Sequence, residues 1–338
     1  MSTPRRRSEQ RRSPISSNSP VDGSASGEEP PASPALAGVV VPTHNDGANI
    51  GPLLRTLLAE PCVGEVFVVA SACDDETVPT VKEIAAADGR VRLHEEETRS
   101  GKAAAVNLGI EHITLAFVVV VSGDVLPHPG AVSRMVDALR RPGVGLAGGR
   151  PLPVNSEDTF VGYAVHLLWR LHHRLALEQP KIGEAIAMRR EAVRPLPADS
   201  SVDEPWFQAL LQRDGWIPAY VPDAIIANRG PGTVRDFVKQ RRQVHTGNLW
   251  LNRRQAYKVP SLRPLLLAAE LGRDLFDDRR RLRPMGLAWT AGAVGMEAWA
   301  RMGARVNYFS GRERHVWDMV QSAKAPALGP DGLGLRDR

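Results

Sequence analysis

The chain has 338 residues, 43% of them apolar, and a formal net charge of +5 with a pI near 9.5, which supplies a sizeable core for one large domain or two small ones. The cationic excess is modest and dispersed; it suits a nucleotide substrate or an anionic surface and does not single out nucleic acid. Two cysteines, Cys62 and Cys73, exclude a disulfide framework and zinc-finger spacing, and the basic N-terminus lacks the apolar run of a signal peptide, so a reducing, cytoplasmic compartment is expected.

Residues 1–36 are rich in Ser, Pro, Gly and Arg and predict a disordered tail, because they bury too little to offset chain entropy. Val39–Val41 reads as a short buried strand, followed by the turn-forming loop Pro42-Thr43-His44-Asn45-Asp46-Gly47 and a helix with Ile50, Leu53, Leu54, Leu57 and Leu58 on one face. Glu65–Ala70 predicts a second strand. A polar turn through Asp74-Asp75-Glu76, assigned to helix capping, leads into a helix with Val81 and Ile84. Val91–Leu93 predicts a third strand. Arg99-Ser100-Gly101-Lys102 opens an Ala-rich helix, and Phe117–Val121 is an unbroken apolar, mostly β-branched run that ends at Ser122-Gly123-Asp124. The β-α-β-α-β-α-β order predicts right-handed crossovers and a largely parallel sheet, with Phe117–Val121 at its centre. Farther on, helices are expected at Pro127–Arg140, Phe160–Gln179, Pro205–Arg213 and Val234–Leu251. Strands are expected at Val144–Gly149, Gly183–Met188, Ala219–Val221 and Ile225-Ile226. The stretch Met285–Val306 is apolar but broken by Glu297, Arg301 and Arg305. It predicts either a packing helix or one lying at a membrane interface, and no span.

The chemistry-bearing residues stand at strand ends. Asp124, just past a central strand, is where open α/β sheets hold ligands, and it is readable as the ligand of a divalent metal on a nucleotide diphosphate or, with Gly123 and Pro127 beside it, as a turn start or helix cap. Arg99 and Lys102 flank a glycine at a helix start, readable as a place where backbone N–H groups and positive charge converge on a diphosphate or as a solvated helix start. Asp203-Glu204 is an acidic pair at a helix N-terminus, readable as a general base or as a dipole-stabilised cap. Gln240-Arg241-Arg242 can clamp a pyrophosphate leaving group or form a solvated face. Neither G-x-G-x-x-G nor G-x-x-x-x-G-K-[ST] follows the first strand, which argues against a dinucleotide dehydrogenase and a P-loop NTPase.

In order, VVVPTHND, VVASACDDET, RSGKAAAVNLGI, VVVVSGDV, VDEPW and KQRRQVHTGN resemble the family 2 glycosyltransferases of GT-A fold. The resemblance implies a Rossmann-like α/β domain over residues 37–250, a helical extension over 251–325 and a flexible tail over 326–338. It implies inverting transfer of a sugar from a nucleotide-diphosphate donor, a UDP-sugar foremost, to a hydroxyl acceptor, lipid-linked or small, with Mn2+ or Mg2+ as cofactor. It also implies residue roles. Pro42, Thr43, Asn45 and Asp46 bind the nucleotide, and Ser71 stands where an acidic pair often contacts the base. Arg99, Lys102 and Gly123 lie along the donor, and Asp124 holds the metal. Asp203 or Glu204 is the base, and Gln240, Arg241 and Arg242 hold the diphosphate. Ser122 stands where the family often has a second metal-binding Asp, and Gln243-Val244 replaces the Arg-Trp of polysaccharide synthases, which disfavours a processive polymerase. The segment Trp317–Lys324 resembles the end of some membrane-associated members, consistent with a peripheral place at the inner membrane face. Two rival readings are a sugar-phosphate nucleotidyltransferase and a non-catalytic membrane-associated scaffold.

Overall fold

A computed structural model describes residues 36–311, 316 and 321–324. Eight strands form one sheet in the order β3-β2-β1-β4-β7-β6-β8-β5. Its first half is the expected alternation: β1 (Ala37–Thr43), α1 (Gly47–Leu58), β2 (Val63–Ser71), α2 (Thr77–Ala87), β3 (Val91–Glu96), α3 (Lys102–His112) and β4 (Phe117–Val121). β1 pairs in parallel with both β2 and β4, and β2 with β3. Every residue of β1 and β4 is buried, as continuous apolar strands covered on both faces must be. Ile50, Leu53, Leu54 and Leu57 of α1 join the core on one face of the sheet, and Ala103, Ala105 and Val106 of α3 join the core on the other. The chain builds outward from β1 to β3 and then crosses to β4 on the other side, so the carboxyl ends of β1 and β4 flank a topological switch point.

The second half departs from simple alternation. The segment expected to be helical from Pro127 opens instead with β5 (Val125–Pro127), which is an edge strand where a proline's missing donor is harmless. Helix α4 (Ala131–Leu139) starts only after Gly130, whose φ of +80° suits glycine. Next come β6 (Val144–Pro153), α5 (Phe160–Glu178), β7 (Ala185–Arg189), α6 (Glu204–Arg213) and β8 (Ile217–Asn228). The two short strands expected at 219–221 and 225–226 are one strand, β8, whose pairing with β6 slips near Gly148. β7 runs antiparallel to both β4 and β6, and β5 antiparallel to β8, so the sheet is mixed. Three helices follow: α7 (Val234–Gln255), α8 (Pro264–Asp277) and α9 (Pro284–Phe309). Residue 250, the expected end of the first domain, lies inside α7. The tails expected at 1–36 and 326–338 lie outside the described residues, Leu36 excepted.

Candidate functional site

At the carboxyl ends of β1 and β4 lies a cavity of ≈ 380 Å³. Its floor is set by a backbone approach: Gly123 N–H donates to the Pro42 carbonyl at 3.1 Å, which joins the tip after β4 to the end of β1. A Cβ at Gly123 would stand 2.5 Å from Thr43 Oγ1 and 2.7 Å from Asp46 Oδ2, so no side chain fits there. Gly123→Ala is therefore expected to push the two loops apart and lower turnover on the order of a hundredfold. Its circular dichroism should stay native, so turnover and secondary structure measured side by side test the point.

The β1–α1 loop is held from within. The Thr43 hydroxyl donates to Asp46 Oδ2 at 2.8 Å, the His44 N–H to the same oxygen at 3.1 Å, and Asp46 N–H to Thr77 Oγ1 at 2.8 Å. Burial, and then the charge of Asp124, push the Asp46 carboxyl above its ordinary range. The Lys324 ammonium answers both carboxylates: it donates to Asp46 Oδ1 at 2.5 Å and to the His44 carbonyl at 3.0 Å, and lies 4.0 Å from Asp124 Oδ2. Asn49 Nδ2 donates to the Lys324 carbonyl at 3.5 Å, and the Ser322 hydroxyl donates to Asp236 Oδ2 at 2.5 Å on α7, so the segment 321–324 is seated over this end of the cavity.

The opposite wall carries the acidic pair. Asp203 precedes α6 and makes no side-chain capping bond; Glu204 begins the helix, and Trp206 and Phe207 anchor it in the core. Lys102, at the start of α3, reaches Asp203 Oδ2 at 2.9 Å and Glu204 Oε1 at 3.3 Å. Burial opposes the Lys102 charge, but Asp203 and Glu204 outweigh it and hold the ammonium above its ordinary range. Burial, then the neighbouring Asp203, push the Glu204 carboxyl up to about 7. That value suits a proton acceptor working near neutrality.

All the residues expected at the site line this cavity except Asn45 and Arg242. Asn45 takes a left-handed backbone conformation, φ +55°, and turns to the β2–α2 loop, donating from Nδ2 to Asp74 Oδ1 at 2.5 Å and accepting from Asp74 N–H at 3.0 Å. Its place is to lock two loops together. Arg242 stands on the far side of α7, in a second groove. Gln240 and Arg241 face the cavity, and Arg241 is paired with Glu297 of α9 at 3.0 Å. Ser71 donates to the Glu96 carboxylate at the end of β3, so an acid does stand behind that position. Asp75 accepts from Gly47 N–H, Thr77 N–H and the Thr77 hydroxyl, the capping role expected of that turn.

Three groups escaped the sequence reading. Glu184, one residue before β7, falls opposite Ser122 by the pairing of Ala185 with Val121. Its φ is +66°, a region that residues other than glycine and asparagine seldom occupy, and its carboxylate accepts from Asn228 Nδ2 at 3.1 Å. Burial, then Glu204 and Asp124, push it up to about 8. Lys181, 3.1 Å from His172 Nδ1, is pushed down to about 7 by burial and then by Arg241. Lys324 is the third. An acid after a glycine at a strand start was the one available signal for Glu184; nothing local marks the two lysines.

The arrangement offers carboxylates and a seated ammonium at one end of a cavity, and a proton acceptor held by a lysine at the other. The residues fit a divalent cation: Asp124 is partly open to solvent, Asp46 lies behind it, and an ammonium already answers both. Residues 38–193 match the family model described as Glycosyl transferase family 2. The chain is 25% identical over 248 residues to an N-acetylglucosaminyltransferase of Rhizobium meliloti, covering 66% of this chain and 58% of that protein. It is 29% identical over 114 residues to glycosyltransferase AglE of Haloferax volcanii, covering 33% of this chain and 38% of that one. The chain thus spans less than two thirds of the length of these relatives. Among solved structures, a mannosyltransferase of Pyrobaculum calidifontis, in complex with GDP-Man and Mn2+, superposes with a TM-score of 0.58 at 23% identity, covering 84% of this chain and 89% of that one. Residues 38–193 are thus similar to the family 2 glycosyltransferases, and the chain has the fold of a GT-A glycosyltransferase.

Proposed function

We propose that the protein transfers a glycosyl group from a nucleotide-diphosphate sugar to a hydroxyl acceptor by a single in-line displacement that inverts the anomeric centre. The observation that carries this reading is the placement of the Glu204–Lys102–Asp203 cluster and the Asp124–Asp46–Lys324 cluster in the walls of one cavity. Glu204 takes the proton of the acceptor hydroxyl as that oxygen attacks the anomeric carbon. The bond from that carbon to the diphosphate oxygen breaks, and the diphosphate leaves with the electron pair. Lys102 fixes the two carboxylates, while the charge of Asp203 adds to burial in raising the proton affinity of Glu204. Asp124, with Asp46 behind it, would hold Mn2+ or Mg2+, which when bound neutralises charge growing on the departing diphosphate. Arg99, Arg241 and Lys324 add fixed cations to the cavity wall. Sugar and acceptor share the space toward Trp169, His172, Lys181 and Glu184. Use of a cytoplasmic nucleotide sugar accords with the free thiols Cys62 and Cys73.

Calorimetric titration with UDP and with GDP, each with and without Mn2+, tests the reading; a panel of donors, UDP-sugars first, then follows by mass spectrometry. Binding that depends on Mn2+, with donor hydrolysis or transfer, is the expected result. Failure of every nucleotide to bind would leave a non-catalytic scaffold, and release of pyrophosphate from a sugar phosphate and a nucleoside triphosphate would make the protein a nucleotidyltransferase.

A further inference from the structure

Helices α8 and α9 are turned inside out relative to a helix that faces water. The fully buried residues of α8 are two acids, Glu270 and Asp274. Asp274 is held by Arg170 at 3.1 Å and Arg281 at 2.8 Å, and Glu270 by Arg273. Its outer side presents Leu265 and Phe276, 87% and 77% exposed. On α9 two of the three charges that interrupt the apolar sequence, Glu297 and Arg301, also turn inward. Glu297 accepts from Arg241 at 3.0 Å and bonds His245 at 2.7 Å, while Arg301 pairs with Glu297 at 3.2 Å and donates to the Ser261 carbonyl. The inner side is otherwise small: Thr290, Ala293, Ala300, Gly303 and Ala304 are buried.

What remains outside is an apolar stripe along the helix. Leu287, Val294, Trp299, Met302, Val306 and Phe309 are exposed, Trp299 at 64% and Phe309 at 82%. At 100° per residue they fall within one broad arc, and Arg305 is the only charged residue in that arc. An exposed apolar face of this length on a helix that buries its own carboxylates marks a surface built for a partner other than water.

The neighbouring charge selects the partner. Beside the stripe runs a groove of ≈ 850 Å³, with Arg235, Lys239 and Arg242 of α7 on one wall and Met296 and Trp299 of α9 on the other. Arg283 stands exposed before the first turn of α9, and Arg305 within the stripe. Cations edging an apolar face with a tryptophan at the boundary are the pattern of helices that lie in the interface of an anionic bilayer. Among the described residues no helix is long and apolar enough to cross a membrane. We infer that α9 docks this protein in-plane on an anionic lipid bilayer, with its apolar stripe at the acyl boundary and the α7 cations at the headgroups. The opposite side of α7 carries Gln240 and Arg241 into the catalytic cavity, so the docked surface lies one helix away from the proposed chemistry.

The test is co-sedimentation of the full chain with large unilamellar vesicles of phosphatidylcholine alone, or with about 30% phosphatidylglycerol, at low and high salt. Expected are strong partition onto the anionic vesicles, weak partition onto neutral ones, and loss with salt. Trp299→Glu with Met302→Glu should weaken partition at least about tenfold, and Arg235→Glu with Arg305→Glu should remove the preference for anionic lipid. Both variants should keep native circular dichroism and nucleotide binding, since none of these residues lines the catalytic cavity. Undiminished binding by the Trp299–Met302 variant would overturn the assignment of the surface. Equal binding to neutral vesicles would overturn the assignment of the lipid. Absence of binding to any vesicle would overturn docking altogether, and a dimer by ultracentrifugation in that case would identify a second copy as the cover.

Discussion

Glu204→Gln will lower kcat on the order of 10²- to 10⁴-fold while leaving nucleotide affinity within a few-fold of wild type. The amide keeps the size of the carboxyl and the start of α6 but cannot accept the acceptor's proton. Asp203→Asn is expected to cost less, because the Asp203 carboxylate is paired with Lys102 at 2.9 Å. The pH profile separates the two. With Glu204 pushed up to about 7 by burial and then by Asp203, wild-type kcat should rise with pH through neutrality and then level, as the base loses its proton. Glu204→Gln should show no such limb. Stability runs the other way. The folded protein holds the Glu204 proton more tightly than the unfolded chain, whose value is the ordinary 4.5. That contribution is fully present below the ordinary value and is lost as pH climbs through about 7. Glu204→Gln should therefore melt above the wild type at pH 8 and show no such gain at pH 4, a trade of activity against stability seen at many active sites. A variant with wild-type turnover would reduce the acidic pair to a helix terminus.

Asp124→Asn will abolish the dependence of nucleotide binding on divalent metal and lower turnover on the order of 10²- to 10³-fold. The side chain stands at the tip following the central strand, with Asp46 as the neighbouring charge and the Lys324 ammonium 4.0 Å away. Titration of UDP or GDP in Mn2+ and again in EDTA should give two different affinities for the wild type and one for the variant. A wild type whose turnover is unaffected by EDTA would remove the metal from the mechanism. Lys324→Ala supplies the complementary measurement. Burial opposes the charge of Lys324, but Asp124 and Asp46 outweigh it and hold the ammonium above its ordinary range, so it competes with any cation for the same oxygens. Its removal should tighten Mn2+ binding in the absence of nucleotide several-fold, on the scale of one exposed-to-half-buried ion pair. Weaker Mn2+ binding would mean that the segment 321–324 helps to build the site.

Much of this was legible in the chain because the signals are local. Uninterrupted β-branched runs can only be strands covered on both faces, so Val39–Val41 and Phe117–Val121 announce the parallel half of the sheet, and turn formers after each mark where ligands gather. The ordered motifs resemble those of the family 2 glycosyltransferases, and Asp124, Arg99, Lys102 and the acidic pair all reach one cavity. Where the sequence did not show what a side chain faces, the deciding partner was distant. Asn45 carries a donor and acceptor suited to a nucleotide, yet Asp74 of another loop takes both. Lys102 looks like a phosphate ligand beside Gly101, but Asp203, about a hundred residues later, neutralises it. Pro127 suits a first helical turn as well as an edge strand, and only the approach of β8 settles which.

Sequence alone determined the alternating α/β core and the list of chemical groups, because hydrophobic period and turn chemistry depend on neighbours within a few residues. Tertiary structure decided what each charge faces. It placed Glu184 across from Ser122 through an antiparallel strand that sequence does not orient, and it brought Lys324 back over β1. It also turned Glu297 and Arg301 toward α7, leaving the other face of α9 apolar. A charge in a helix says nothing by itself about which way that helix is rotated. The rotation is set by the buried Arg241–His245–Glu297 contacts, and those exist only once α7 and α9 have packed.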